Sequence, residues 1–268
     1  MAVSKPIWME LPDKLFNFDP DMGAVTAIAL GPSGSGKTHL LIHIAKRKLY
    51  DAKEICVWRG LHSAQAFQYF QDVRILVLRG YTLSHPEYID EYFDDMPELE
   101  PGVLNVIYAP VEWWREYLIR LTEVHRDMPM SVFCDEFEEI APSYAAEETW
   151  HVIGDLSKAL REFRKAWVNF YAATQEWINI DHRVLALFIF RIYLPGARRL
   201  RRSPVWQKTI DALAKHMKPD KRRAIIEERG ALFYYFEFPK AERVRQPIKL
   251  NLRPAYQAIE ETPPPEAT

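Results

Sequence analysis

Eight consecutive residues, Gly31-Pro32-Ser33-Gly34-Ser35-Gly36-Lys37-Thr38, set glycines, a lysine and a hydroxyl in the spacing Gly-x4-Gly-Lys-Thr. Glycines let a backbone turn several N–H groups toward one point, and the lysine adds a cation there. Together they suit the oxygens of a polyphosphate. Lys37 is expected to meet the β- and γ-phosphates and Thr38 to give its hydroxyl to Mg²⁺, so ATP and Mg²⁺ are the expected ligands. The loop follows the apolar run Ala24 to Leu30 and precedes Leu41, Ile44, Ala45 and Leu49 at helical spacing. Strand, loop and helix are the setting such a loop needs.

A second group is Val132-Phe133-Cys134-Asp135-Glu136, an apolar strand ending in two adjacent carboxylates. Alternation along a strand sends the two side chains different ways. Asp135 is expected to hold the Mg²⁺ water shell beside Thr38, and Glu136 to face the γ-phosphate and orient a water. Glu138 and Glu139 read as solvated. A third group, Ala172-Ala173-Thr174-Gln175, puts polar residues at the end of another apolar strand, where parallel sheets bind ligands. Gln175 reads as a γ-phosphate sensor; the alternative is a turn that merely caps the strand.

These blocks, together with the run Arg164 through Gln175, resemble the FtsK–HerA superfamily of DNA-pumping ATPases over roughly residues 22 to 194. The run looks like that family's sensor strand preceded by its arginine-bearing helix. The continuation Ile180-Asp181-His182-Arg183-Val184 is similar to the zonula occludens toxin-like assembly ATPases of filamentous phages. The packaging ATPases of internal-membrane viruses are a third relative. The resemblance implies an extra strand between the phosphate-loop strand and the Asp135 strand, a homo-hexameric ring, and double-stranded DNA in its pore. It implies a role for Arg164 across the subunit interface, at the neighbour's ATP, with Arg161 in reserve. Both arginines equally suit the solvated side of an amphipathic helix whose core face is Leu160, Phe163 and Trp167. Trp167 stands where the family usually has Gly. A viral genome-packaging or DNA-mobilising motor is the implied function, and a capsid or membrane-vertex protein is a further implied partner. Three alternatives stay open: a virion-assembly ATPase, a small-molecule phosphotransferase using the same loop, and a nucleotide-gated binding protein without turnover.

The elements that must position these groups read as α/β, a mostly parallel sheet flanked by helices, with strands also at 55–58, 75–78, 104–108 and 232–238 and helices around Trp114 to Leu121 and Leu156 to Trp167. The expected organisation is an N-terminal segment at 1–21, an ATPase core at 22–195, a basic C-terminal subdomain at 196–254 and a disordered tail at 255–268. Net charge is −2 over 268 residues, which excludes a basic nucleic-acid coat. Arg198, Arg199, Arg201 and Arg202 could still meet DNA phosphates, and the turn from Arg59 could line a pore. Cys56 and Cys134 sit in apolar runs and read as reduced thiols. No run is long and apolar enough for a membrane helix, so a cytoplasmic protein is expected.

Overall fold

A computed structural model of the chain describes residues 8–9, 15–16, 23–61, 66–123, 127–144, 147–200, 203, 205, 207–214, 220–229 and 232–255. Its strands are β1 (Trp8–Met9), β2 (Thr26–Leu30), β3 (Ile55–Arg59), β4 (Val73–Leu78), β5 (Tyr81–Leu83), β6 (Glu91–Phe93) and β7 (Leu104–Tyr108). They continue with β8 (Met130–Cys134), β9 (Val168–Thr174), β10 (Phe190–Tyr193), β11 (Lys221–Glu228), β12 (Leu232–Pro239) and β13 (Leu252–Pro254). The helices are α1 (Lys37–Lys46), α2 (Val111–Arg120), α3 (Glu147–Glu162), α4 (His182–Leu185) and α5 (Gln207–Ala214).

Eleven strands form one sheet in the order β1-β12-β11-β10-β2-β9-β8-β3-β7-β4-β6, while β13 pairs with β5. Only the β10–β11 and β11–β12 pairings of the large sheet are antiparallel. Since β9 lies between β2 and β8, the additional strand stands where the resemblance implied it.

The central strands are apolar along their whole length because both faces are covered. On one face Val132 and Phe170 pack under Trp114, Leu118, Leu156 and Phe163 of the α2 and α3 side. On the other, Ala29, Phe133 and Tyr171 pack under Leu40, Leu41 and Ile44 of α1. Trp58, Phe133 and Tyr171 stack across three neighbouring strands, with centroids 5.4 and 5.0 Å apart. Such a cross-strand row fixes register as well as burying area.

The N-terminal ends of the same strands are joined by a buried polar network. Lys48 Nζ donates to Glu54 Oε1 at 2.7 Å, and both side chains are essentially inaccessible. Glu54 Oε2 accepts from Ser131 Oγ and from Asn169 Nδ2, the latter at 2.9 Å, while Asn169 Oδ1 accepts from Val25 N–H at 2.8 Å. Burial lowers the Lys48 pKa, and Glu54 opposes that shift. With each charge partnered, the network ties β2, β3, β8 and β9 together at the end away from their C-terminal loops.

One helix differs from its expected extent. α3 stops at Glu162, so Phe163, Arg164 and Trp167 lie in the turn after it, not on one helical face. The Ala166 and Val168 N–H groups donate back to Glu162 and Phe163 carbonyls at 3.0 Å, and Trp167 takes φ 57. A left-handed residue of this kind commonly ends a helix, and glycine adopts it at least cost. The observed φ thus gives a physical reason for a glycine preference at this position. Trp167 is 37% exposed and is not part of the core. Among the described residues no helix is long and apolar enough to cross a membrane. Cys56 and Cys134 are free and buried.

Candidate nucleotide site

The loops that leave β2, β3, β8, β9 and β10 gather at the C-terminal edge of the parallel strands, the edge where open α/β sheets bind ligands. The glycine-rich loop runs from β2 into α1. Gly36, at the N-cap of α1, has φ 105, which only glycine adopts freely. Lys37 is buried, and its Nζ donates to the Gly31 and Pro32 carbonyls at 2.7 and 3.0 Å, so the ammonium sits in the throat of the loop. Burial pushes its pKa down, against the pull of Asp135, Glu138 and Glu136. Ser35 Oγ is buried with no hydrogen-bond partner among the described residues. A phosphate oxygen in the loop would supply one.

Thr38 Oγ1 donates to Asp135 Oδ2 at 2.6 Å, and Asp135 Oδ1 accepts from Glu136 N–H at 3.0 Å. Hydroxyl and carboxylate therefore stand together as expected, with the carboxylate held from both sides. One hydroxyl and one carboxylate are too few for an all-protein metal cage, and among the described residues no cluster of three or more His, Cys, Asp or Glu groups could hold a metal. The pair fits Mg²⁺, which keeps most of its waters and takes its remaining ligands from phosphates.

Glu136 has φ 50, a left-handed conformation uncommon for a side chain of its size, and lines the same cavity as Lys37 and Thr38. The turn is held from outside. Arg59 is only 2% exposed; its Nη1 donates to the Glu136 carbonyl at 3.2 Å and its Nη2 pairs with Glu139 Oε2 at 2.5 Å. Arg115 adds bonds from Nε to the Ile140 carbonyl at 2.8 Å and from Nη2 to the Glu139 carbonyl at 2.9 Å. Arg59 is thus turned inward under the Asp135–Glu136 turn and offers no guanidinium to a pore or to DNA. A basic residue followed by Gly60 at a strand end read as surface, whereas the carbonyls of the neighbouring turn draw it in.

Glu138 is a second departure. It does not face solvent but lines the cavity, and its Oε1 accepts from the Gln175 N–H at 3.3 Å. Burial pushes its carboxyl up, partly countered by hydrogen bonds that include Thr174 and Gln175, and its Oε2 is buried without a hydrogen-bond partner among the described residues. Glu139 is half-exposed in its pair with Arg59. Glu138 therefore links the Asp135–Glu136 turn to the end of β9, where Thr174 and Gln175 reach the cavity as expected.

Arg164 lies elsewhere. Its side chain covers Gly23, where any Cβ would collide with Arg164 Cγ, and its carbonyl accepts from Ala24 N–H. Gly23 precedes β2 and Gly31 follows it, so Arg164 is separated from its own phosphate loop by about 25 Å of extended chain. Arg161, on α3, is also exposed. Arg198 and Arg199 are exposed beyond β10 at the loop edge, with Arg198 Nη1 3.5 Å from Glu176. Arg201 and Arg202 lie outside the described residues.

The cavity around the loop has a volume of about 960 Å³, ample for a nucleotide. It is also lined by residues that carried no motif: Tyr69, Arg222, Lys240, Arg243, Ile248 and Lys249 among them. The only sequence signal for them was the excess of cations after residue 198.

No protein-family model matches this chain, and no curated protein matches it. Solved structures do. The genome packaging NTPase B204 from Sulfolobus turreted icosahedral virus 2, in complex with ATP-gammaS, is similar at TM-score 0.53 and 12% identity, over 81% of this chain and 98% of that one. The same NTPase with AMPPCP gives 0.51 and 14%, over 86% and 100%. The bacterial conjugative coupling protein TrwBdeltaN70 gives 0.54 and 11%, over 85% of this chain and 87% of that one. The shared feature is the fold, that of a P-loop NTPase with a mostly parallel sheet flanked by helices.

Proposed function

We propose that this chain is an ATP-hydrolysing motor of the FtsK–HerA type that moves double-stranded DNA, as in viral genome packaging, and works as a ring of six. The observation that carries the reading is the convergence of Lys37, the Thr38–Asp135 pair, Glu136 and the Thr174–Gln175 strand end on one cavity. Lys37 would leave the loop carbonyls for the β- and γ-phosphates. Mg²⁺ bound with the triphosphate would be held by Thr38 and, through water, Asp135, and would neutralise charge on the phosphates. Glu136 would orient a water and take its proton as the water attacks the γ-phosphorus and the bond to the bridging oxygen breaks, so that ADP leaves with that oxygen and inorganic phosphate forms, and Gln175 would contact the γ-phosphate. Glu138 would keep Gln175 in register with that turn. The carboxylates of Glu136 and Glu138 in the cavity favour activation of a water, and so hydrolysis over transfer to a small molecule.

DNA as the cargo is supported by the similar fold of a packaging NTPase and of a conjugative coupling protein. The ring rests on the resemblance, in which Arg164, exposed and away from its own phosphate loop, would serve a second copy's nucleotide. The test is phosphate release with and without duplex DNA, for the native chain and for Glu136→Gln. Binding should survive that substitution and turnover should not, because the amide keeps the shape but cannot accept the proton. DNA-independent turnover together with a monomeric state would overturn the motor reading, and undiminished turnover of Glu136→Gln would move the base elsewhere.

A further inference from the structure

The phosphate loop and α1 already concentrate positive potential, from a buried ammonium and a helix N-terminus. The C-terminal part of the chain adds more. Arg222 on β11 lies against the loop itself: a Cβ on Gly36 would stand 3.3 Å from Arg222 Cγ and Cδ and 3.7 Å from Nε. Lys240 and Arg243 follow β12 and line the same cavity. Lys240 is placed by its N–H bond to the Asp220 carbonyl at 2.8 Å, and the Arg243 guanidinium sits 5.9 Å from the centre of the Tyr69 ring. His39, in the first turn of α1, feels all three. Its imidazole is pushed down first by burial and then by Arg222, Lys240 and Arg243.

The chain that carries these cations is a strap. After β12, near one flank of the sheet, residues 240–251 run to β5, which adjoins β4 near the other flank. The strap is pinned on the way: Val244 N–H donates to the Gln68 carbonyl at 2.8 Å, Gln68 Nε2 donates to the Ile248 carbonyl at 3.0 Å, and Ser84 N–H donates to the Asn251 carbonyl at 2.9 Å. Its path crosses the mouth of the nucleotide cavity. Lys37, Arg222, Lys240 and Arg243 thus line one cavity at a helix N-terminus, a cationic lining that suits an anion of several charges such as a triphosphate.

We infer that Arg222, with Lys240 and Arg243 of the strap, is a second cationic wall of the phosphate site in cis, with Arg222 meeting the polyphosphate beside the glycine-rich loop. This rests on the nucleotide reading above. It assigns to the chain's own C-terminal hairpin a phosphate-binding arginine distinct from Arg164, whose proposed role lies at a second copy's nucleotide. Nothing in the contact requires a second subunit.

The test uses full-length chain, a fluorescent ATP analogue and inorganic tripolyphosphate as competitor, at several salt concentrations. Arg222→Ala should weaken both ligands about tenfold or more, the usual scale for a lost charge-assisted bond, and Arg243→Ala by less. Both should flatten the salt dependence. The loss should be the same in dilute monomer as in concentrated protein, because the contact is internal. Arg222→Gln serves as a second variant should the alanine form unfold, with thermal unfolding as the check. If the native chain binds, Lys37→Ala does not, and the Arg222 and Arg243 variants bind as the native chain does, the cis wall is refuted while the nucleotide reading stands. An Arg222 effect that vanishes on dilution also refutes it, since the arginine then acts between subunits. If Lys37→Ala binds like the native chain, the nucleotide reading itself falls and this inference with it.

Discussion

Arg59 is the residue whose removal tests the catalytic turn most directly. A left-handed Glu136 costs about 1 to 2 kcal/mol relative to an ordinary backbone conformation, so something must hold it there. Arg59 does so from below, through one bond to the Glu136 carbonyl and one ion pair to Glu139. Hydrogen bonds to charged groups contribute roughly 1.5 to 3 kcal/mol each when buried, and the partly exposed Glu139 places this pair near the lower figure. Losing about 2 kcal/mol would lower the population of the competent turn roughly thirtyfold. Arg59→Ala should therefore cut turnover by about ten- to thirtyfold while leaving ATP affinity within about threefold, since Lys37 and Thr38 stand on a different element. Arg59→Lys should recover little, because an ammonium cannot fork between a carbonyl and a carboxylate. DNA affinity should not change. The assay is steady-state phosphate release beside calorimetric ATP binding, with urea unfolding to confirm the fold. Turnover within about twofold of native in a folded Arg59→Ala chain would refute the claim that the turn's geometry limits the rate.

Three further outcomes follow from particular side chains. Burial raises the Glu138 pKa, so the folded state favours its protonated form; the stability this confers is complete below the ordinary value of 4.5 and is lost as pH rises through the raised pKa. Glu138→Gln should thus melt above the native chain near pH 8, with the gap closing toward pH 4, and a pH-independent gap would show that titration of Glu138 is not its cause. Arg164→Ala should keep ATP binding yet lower turnover by about 10³-fold if the arginine acts across an interface, and mixing it with Glu136→Gln subunits should restore part of the activity. Mixed rings with no restored hydrolysis would place Arg164 outside such a pairing or require consecutive intact interfaces. At Trp167, with φ 57, the glycine variant should be more stable than the alanine variant by about 1 kcal/mol, the reverse of the order inside a helix, and chemical denaturation would expose an error in the cap assignment.

The residues that line the cavity around the glycine-rich loop were legible because their chemistry is local. Gly31 to Thr38 and Asp135-Glu136 sit at the ends of apolar runs, and a parallel sheet brings such ends together whatever else the chain does. Two residues beside them were not legible. Glu138 read as solvated and Arg59 as a pore-lining residue, because charged residues after strands mostly face outward. What buries them is tertiary: Arg59 finds the carbonyls of a turn seventy-odd positions away, and Glu138 finds Gln175 across the loop. The end of α3 was misjudged for another reason. Apolar spacing continues through Phe163 to Trp167, but the turn reuses those side chains without the helix, and no residue there announces a stop. β11 was hidden by composition, since Lys221-Arg222-Arg223 and Glu227-Glu228 flank its three apolar residues.

The strap also orders events during synthesis. The glycine-rich loop is complete once Thr38 has been made, but Arg243 follows 205 residues later, which at ribosomal speed is a delay of roughly 10 to 40 s. The contact from Gln68 to Ile248 spans 180 positions, so it closes only after the sheet beneath it has formed. A nascent chain therefore carries a recognisable phosphate loop long before it can grip a nucleotide tightly. Ligand binding stabilises only the state that binds, so a nucleotide would favour chains in which the strap has closed over those in which it has not.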